Sequence, residues 1–130
     1  FMVKDPKRYQ VVVCSNLFGD ILTDLGAAIS GGMGLAAGAN LNPERTYPSM
    51  FEPIHGSAPD IAGTGKANPL ASIWSASQML DFFGHPEWGR RLLAIIEAML
   101  VEKTILTPDM GGTATTSEVG DEVVKRIEEA

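Results

Sequence analysis

The chain has 130 residues, 45% of them hydrophobic and 20% charged, which is typical of a globular domain rather than a disordered segment. A net charge of −6 argues against nucleic acid or an anionic membrane as partner, because both are bound by clustered Lys and Arg. The single cysteine, Cys14, cannot form an internal disulfide, and no apolar run is long enough to span a membrane, so we expect a cytoplasmic protein.

The first predicted element is a strand over residues 9–15, since YQVVVCS is a continuous β-branched run typical of a strand buried on both faces. A turn at residues 16–19 leads into a helix from Asp20 to about Ile29. Apolar residues recur on this helix with a period of 3.6 and form one stripe, expected to face the core. The stripe consists of Ile21, Leu22, Leu25, Ala28 and Ile29.

A glycine-dense stretch over residues 31–38 follows, and it fits a crossing point between two domains because glycine relaxes the backbone. A short strand is expected within residues 47–53. Residues 55–68 (HGSAPDIAGTGKAN) contain too much Gly and Pro for regular structure and predict a long loop. Long ordered loops are often functional.

Asn68 and Pro69 predict the N-cap and first residue of a helix that stops at residues 84–86 (GHP). Five of its apolar residues are expected to face inward. They are Leu70, Ile73, Trp74, Leu80 and Phe83.

A second helix is predicted over residues 87–103, followed by a strand or turn over residues 105–112. Thr115 and Glu118 have capping-box spacing before a last helix that ends near Ile127. Strands followed by helices predict an α/β layer fold. The residues that the second helix is expected to bury are Leu92, Ile95, Ile96 and Met99.

Asp20 and Asp24 stand at i and i+4, which places them about 40° apart around a helix axis and one turn apart along it. They point away from the apolar stripe, and two such oxygen donors can share Mg²⁺ or Mn²⁺. Acidic residues also simply favour the first turn of a helix, and on spacing alone this second explanation is the more common one.

Two glycine motifs do not qualify as nucleotide-binding fingerprints. Residues 32–37 match G-x-G-x-x-[GA], but a helix precedes them rather than a strand, so a Rossmann fold is not indicated. Residues 63–66 (GTGK) lack the first glycine and the final Ser or Thr of a P-loop. Within the long loop, Asp60 could accept hydrogen bonds from a ribose diol, although an aspartate after Pro59 is commonly a turn former.

Residues 16–24 (NLFGDILTD) and 51–69 (FEPIHGSAPDIAGTGKANP) resemble the β-decarboxylating dehydrogenases, which include isopropylmalate, isocitrate, homoisocitrate and tartrate/D-malate dehydrogenases. Residues 107–116 (TPDMGGTATT) most resemble the tartrate/D-malate branch. The similarity extends over nearly the whole chain. It implies the C-terminal part of that family's two-domain α/β fold, with residues 1–31 ending the central domain and residues 32–130 forming the C-terminal half of the large cofactor-binding domain.

The resemblance implies that Asp20 and Asp24 bind Mg²⁺ or Mn²⁺ together with a third aspartate from well upstream. It also implies an NAD site in the long loop. Glu52 would lie toward the nicotinamide, Asp60, Ile61 and Asn68 around the adenosine, and the other residues along the dinucleotide. Those others are His55, Gly56, Ser57 and Ala58.

The resemblance places no catalytic acid or base in this chain. The family's catalytic lysine and tyrosine, and its substrate-binding arginines, belong to segments upstream of these motifs, and no Lys or Tyr here matches them. Family members are homodimers in which the partner subunit contributes the lysine and one metal aspartate. We therefore expect the chain alone to be inactive.

The expected function is NAD- and metal-dependent oxidative decarboxylation of a small 2-hydroxy acid, D-malate or tartrate, with 3-isopropylmalate as the next candidate. A second class of function is a non-catalytic regulatory subunit of a heteromeric isocitrate dehydrogenase, although such a subunit could dispense with Asp20, Asp24 and Asp60. A third is a nucleotide-binding module that acts alone. The residues that select the hydroxy acid are expected upstream.

Overall fold

The computed structural model describes residues 1–129, which form four α-helices and one two-stranded sheet. Short 3-10 turns at Pro6–Arg8, Met33–Leu35, Pro59–Ile61 and Pro108–Met110 connect them. Across residues 1–129 no helix is both long and apolar enough to cross a membrane. The regular elements are α1 (Asn16–Ile29), β1 (Ala37–Asn40), β2 (Met50–Pro53), α2 (Leu70–Phe82), α3 (Pro86–Glu102) and α4 (Thr116–Glu129).

The prediction of a buried strand over residues 9–15 is wrong. The segment has no regular structure, and Val11 and Val13 are 82% and 93% exposed. β-branched residues favour a strand only where a neighbouring strand supplies hydrogen bonds and packing. Within residues 1–129 the only paired strands are β1 and β2, so this segment has no such neighbour.

Helix α1 begins earlier than predicted, at Asn16, because Gly19 donates its N–H to the Ser15 carbonyl at 2.8 Å and residues 16–19 form its first turn. The expectation that its apolar stripe is buried is also wrong. Ile21 and Ile29 are 56% and 42% exposed, and Ala27 is the one buried residue of α1. The inner side of the helix instead borders an apolar groove of about 520 Å³ that it shares with α3.

The glycine-dense stretch is partly ordered into a strand that the sequence did not predict. Gly31 and Gly32 adopt φ values of 124° and 109°, which turn the chain after α1. β1 then pairs antiparallel with β2, with Ala37 opposite Pro53 and Asn40 opposite Met50. The predicted strand within residues 47–53 is confirmed as β2.

The predicted contact of Asn68 with the start of α2 is confirmed by a hydrogen bond of 2.9 Å from the Leu70 N–H to Asn68 Oδ1, but the helix begins at Leu70, one residue later than predicted, with Pro69 in the cap position. The predicted stop is also confirmed, since α2 ends at Phe82, Gly84 has a φ of 92° and α3 starts at Pro86. Phe83 does not face inward, however, and is 57% exposed. It lies one residue beyond the helix and therefore leaves the inward stripe.

The core lies where α2, α3 and α4 meet. Arg126 of α4 donates hydrogen bonds to both oxygens of Glu102 at the end of α3, and to Glu122 one turn earlier at 2.7 Å. The Arg126 guanidinium lowers the pKa of Glu102 below its ordinary value. These contacts join α4 to the rest of the fold. The buried apolar cluster comprises Leu35, Leu70, Ile95, Ile96, Met99, Val119 and Val123.

The predicted capping box at the start of α4 is confirmed and has a testable pH dependence. Thr115 donates both its N–H and its hydroxyl to Glu118, at 2.7 and 2.9 Å, and these bonds lower the pKa of the Glu118 carboxyl from 4.5. Because the Glu118 carboxyl has a lower pKa in the folded than in the unfolded chain, its ionised form stabilises the folded protein at pH values above the unfolded-state pKa. This contribution is lost as the pH falls through the folded-state pKa of Glu118.

We therefore expect Glu118→Ala to melt at a lower temperature than the unaltered chain at pH 7, and the difference to shrink as the pH falls below 4.5. Thermal unfolding monitored by circular dichroism gives the melting temperatures of both proteins at each pH. Glu128→Ala removes a carboxylate from the exposed end of the same helix and is the matched control. A difference that is constant with pH would contradict the assignment.

Candidate functional site

A pocket of about 600 Å³ lies between the long loop, the 3-10 turn at Met33–Leu35 and the start of α4. The loop forms most of its wall, through His55 and the three small residues that follow it. Small side chains leave backbone N–H groups accessible, which suits an extended polar ligand. The lining residues are Met33, Gly34, His55, Gly56, Ser57, Ala58, Ile61, Ala62, Gly63, Gly65, Lys66, Ala67, Asn68, Asp109 and Thr116.

The loop is shaped by a left-handed residue and a single 3-10 turn. Ala58 has a φ of 42°, a conformation that costs energy for a residue with a Cβ and that is found preferentially at functional sites. It leads directly into the turn at Pro59–Ile61, where the Thr64 hydroxyl donates to the Ile61 carbonyl at 2.7 Å. Residues 56–58, which line the pocket, therefore lead directly into a hydrogen-bonded turn.

The far end of the loop is fixed by the first residue of α4. The Thr116 N–H donates to the Gly65 carbonyl at 2.7 Å, and the Thr116 hydroxyl donates to the Ala67 carbonyl at 2.6 Å. The adjacent Thr115–Glu118 capping box holds this turn of α4 in place. The C-terminal helix thus determines where residues 65–67 lie along the pocket.

Six of the eight predicted cofactor-binding residues meet in this pocket, and two do not. Glu52 is an exposed residue of β2 opposite Gly38, and Asp60 is exposed on the 3-10 turn, outside the pocket lining but next to Ile61. The six that line it are His55, Gly56, Ser57, Ala58, Ile61 and Asn68.

Nine of the fifteen lining residues were not among the predicted site residues, and four of the nine matter most for the pocket: Gly34, Lys66, Asp109 and Thr116. Lys66 contributes a positive charge, which complements a phosphorylated ligand. Signals existed for two of them, since Asp109 lies within the TPDMGG segment and Thr116 directly follows the capping threonine. Only the folded chain brings them to the loop.

Asp20 and Asp24 lie one turn apart on α1, and both are exposed. The Asn16 amide donates a long hydrogen bond of 3.4 Å to Asp20 Oδ2. Within the described part of the chain no cluster of three or more His, Cys, Asp or Glu side chains could hold a metal ion. The donor chemistry of the pair suits a hard divalent cation, and the remaining ligands would have to come from outside residues 1–129.

The family model described as isocitrate/isopropylmalate dehydrogenase matches residues 1–123 of the chain. The chain is 52% identical over 127 residues to a probable tartrate dehydrogenase/decarboxylase of Bacillus subtilis, covering 98% of this chain and 36% of that protein. It is 53% identical over 130 residues to D-malate dehydrogenase (decarboxylating) of Escherichia coli, covering 96% of this chain and 36% of that protein.

A 3-isopropylmalate dehydrogenase of Beutenbergia cavernae is also 52% identical over 127 residues, with 98% of this chain and 35% of that protein covered. Among solved structures, isocitrate dehydrogenase from Methylococcus capsulatus superposes with a TM-score of 0.87 at 42% identity. The match covers 97% of this chain and 37% of that one. The chain thus spans little more than a third of the length of these relatives.

Proposed function

Because the chain belongs to the isocitrate/isopropylmalate dehydrogenase family of β-decarboxylating dehydrogenases, we propose that it is part of an enzyme that oxidatively decarboxylates a 2-hydroxy acid with NAD and a divalent metal ion. D-malate or tartrate is the proposed substrate, supported by the similarity to enzymes with those names and by the TPDMGG segment. 3-Isopropylmalate is the alternative, supported by a relative of nearly equal identity.

The observation that carries this proposal is the pocket formed by the long loop. Residues 56–58 line it with small side chains, which leave backbone N–H groups accessible to a polar ligand, and Lys66 adds a positive charge suited to a pyrophosphate. The volume of about 600 Å³ is that of a typical pocket for a small molecule or cofactor. We assign the adenosine half of NAD to the end near Ile61 and Asn68.

The carboxylate pair of α1 is the proposed metal-binding contribution of this chain. When bound, the divalent ion supplies a Lewis acid that polarises the oxygens of the hydroxy acid. Asp20 and Asp24 would hold it from one face of α1, where no salt bridge of the described residues engages either carboxylate. We further propose that residues 1–31 belong to the central domain, that residues 32–130 belong to the large domain, and that the complete protein is a homodimer.

The direct test is an assay of the complete protein that carries this chain. We expect NAD reduction and CO₂ release with D-malate or tartrate in the presence of Mn²⁺ or Mg²⁺, and loss of both with EDTA. Preference for 3-isopropylmalate would support the alternative substrate. Absence of turnover with all three acids, combined with activation of a separate catalytic subunit, would instead establish the regulatory function.

Asp60 predicts the choice between NAD and NADP. A carboxylate beside the adenosine ribose accepts hydrogen bonds from the ribose diol of NAD but repels the 2′-phosphate of NADP. Together these two effects favour NAD over NADP by about 2–4 kcal/mol of binding free energy. We expect kcat/KM to favour NAD by roughly 30- to 1000-fold. Kinetics of Asp60→Asn should show a smaller preference, whereas Asp121→Asn, on the exposed surface of α4, should not. Equal kcat/KM for both cofactors in the unaltered enzyme would contradict this role.

A further inference from the structure

Asn68 is the most enclosed polar residue of the pocket wall, and its carboxamide has a partner at each end. Its oxygen accepts the Leu70 N–H at 2.9 Å, and its nitrogen donates to Asp109 Oδ2 at 3.0 Å. The residue is 8% exposed. Because the helix N–H requires an acceptor and a carboxylate can only accept, these two partners fix the orientation of the amide.

Asp109 is itself held on a rigid turn. The Met110 and Gly112 N–H groups donate to the Thr107 carbonyl at 3.0 and 3.1 Å, and Thr107 is 1% exposed. The turn is thus anchored in the core while the Asp109 carboxylate reaches the pocket wall. Its 41-residue separation from Asn68 makes this contact purely tertiary.

Gly34 completes the junction from the third side. A Cβ at this position would overlap the Asp109 carboxylate and stand 2.8 Å from Asn68 Cβ. The backbone of the 3-10 turn at Met33–Leu35 therefore packs directly against the hydrogen-bonded pair. Three separate segments meet at the Asn68–Asp109 bond, and all three line the pocket.

We propose that Asp109 is a positioning residue for the cofactor pocket, which acts by fixing the Asn68 carboxamide and, through it, the pocket wall. This inference rests on the proposed NAD-dependent function. One N–H and one lone pair of the Asn68 carboxamide are engaged within the protein, so the fold fixes the direction of its remaining N–H and lone pair before any ligand binds. Loss of the Asp109 acceptor would leave a buried N–H₂ group unpaired and free the wall at residues 66–68 to move.

The test changes the two partners of the Asn68–Asp109 bond in the complete protein, first singly and then together. Asp109→Ala removes the acceptor, and Asn68→Asp places two carboxylates in contact. We expect either single change to raise the Kd and KM for NAD by about tenfold or more, with kcat changed by less than about threefold. The double variant Asn68→Asp/Asp109→Asn recreates the bond with donor and acceptor reversed, so it should recover most of the affinity. Asp121→Ala, on the exposed surface of α4, is the control.

Isothermal titration calorimetry gives Kd, and NMR gives the exchange rates of the Asn68 carboxamide and Leu70 amide protons without any cofactor. We expect Asp109→Ala to accelerate exchange at both positions. If the unaltered protein binds NAD and Asp109→Ala binds it equally well, the inference is overturned while the proposed function stands. If the unaltered protein does not bind NAD, the proposed function is overturned, and Asp109 loses its role in the cofactor site with it. Failure of the double variant to recover affinity beyond that of the singles would also overturn the pairing.

Discussion

Replacing Asp20 or Asp24 by asparagine is expected to lower the turnover of the complete enzyme by about 10³-fold or more, because a catalytic metal contributes several kcal/mol to the transition state. Asparagine has nearly the shape of aspartate but removes the charge that attracts a divalent cation. Both side chains are exposed on α1, so the melting temperature should change little. The rate should recover in part as the Mn²⁺ concentration is raised.

Steady-state kinetics over a range of Mn²⁺ concentrations, together with thermal unfolding, measure both effects. Asp5→Asn is the matched control, since Asp5 is exposed, belongs to the same part of the chain and makes no capping hydrogen bond. Full activity at limiting Mn²⁺ in either α1 variant would show that the pair has only the structural role common to acidic residues in helices.

The 130 residues alone are expected to show no detectable oxidation of a hydroxy acid. A general acid or base typically contributes about 10²–10⁴-fold, and the resemblance places both groups in the part of the family that this chain does not match. Within the described residues the metal pair also lacks a third ligand. The assay follows NAD reduction with D-malate, tartrate and 3-isopropylmalate in the presence of Mn²⁺.

The isolated chain is also expected to associate in solution. Its N-terminal third exposes apolar side chains that a stable monomer would cover, and large exposed apolar patches promote association. Light scattering measures the size, and activity regained on adding the N-terminal part of a family member that this chain does not match is the positive control. Robust turnover by a monodisperse 13.9 kDa species would contradict both expectations. The exposed residues include Val11, Val13, Leu17, Phe18 and Ile21.

Elements whose signals lie within a few residues of one another were predictable from the sequence. Asn68 before Pro69 indicated the start of α2, and Thr115 with Glu118 indicated the start of α4. The stop between α2 and α3 followed from glycine and proline. Each of these is a local hydrogen bond or a backbone restriction, so no distant part of the chain is needed to decide it.

Burial in the first third of the chain was not predictable in this way. Residues 9–15 have the composition of a central strand, and α1 has an apolar stripe, yet both are exposed in residues 1–129. Composition and periodicity report what a segment can bury, whereas burial requires a second surface. β1 was missed for a related reason, since four small or polar residues become a strand only when β2 pairs with them.

The sequence by itself determined the family, the carboxylate pair and most of the loop that lines the pocket, because contiguous motifs carry all three. Only the tertiary structure decided how that loop is held. Asp109 reaches Asn68 across 41 residues and Thr116 reaches Ala67 across 49, through single hydrogen bonds that leave no periodic or compositional trace. The tertiary structure also showed that Asp60 and Glu52 lie outside the pocket lining, because the direction of a side chain depends on the turn or strand that carries it.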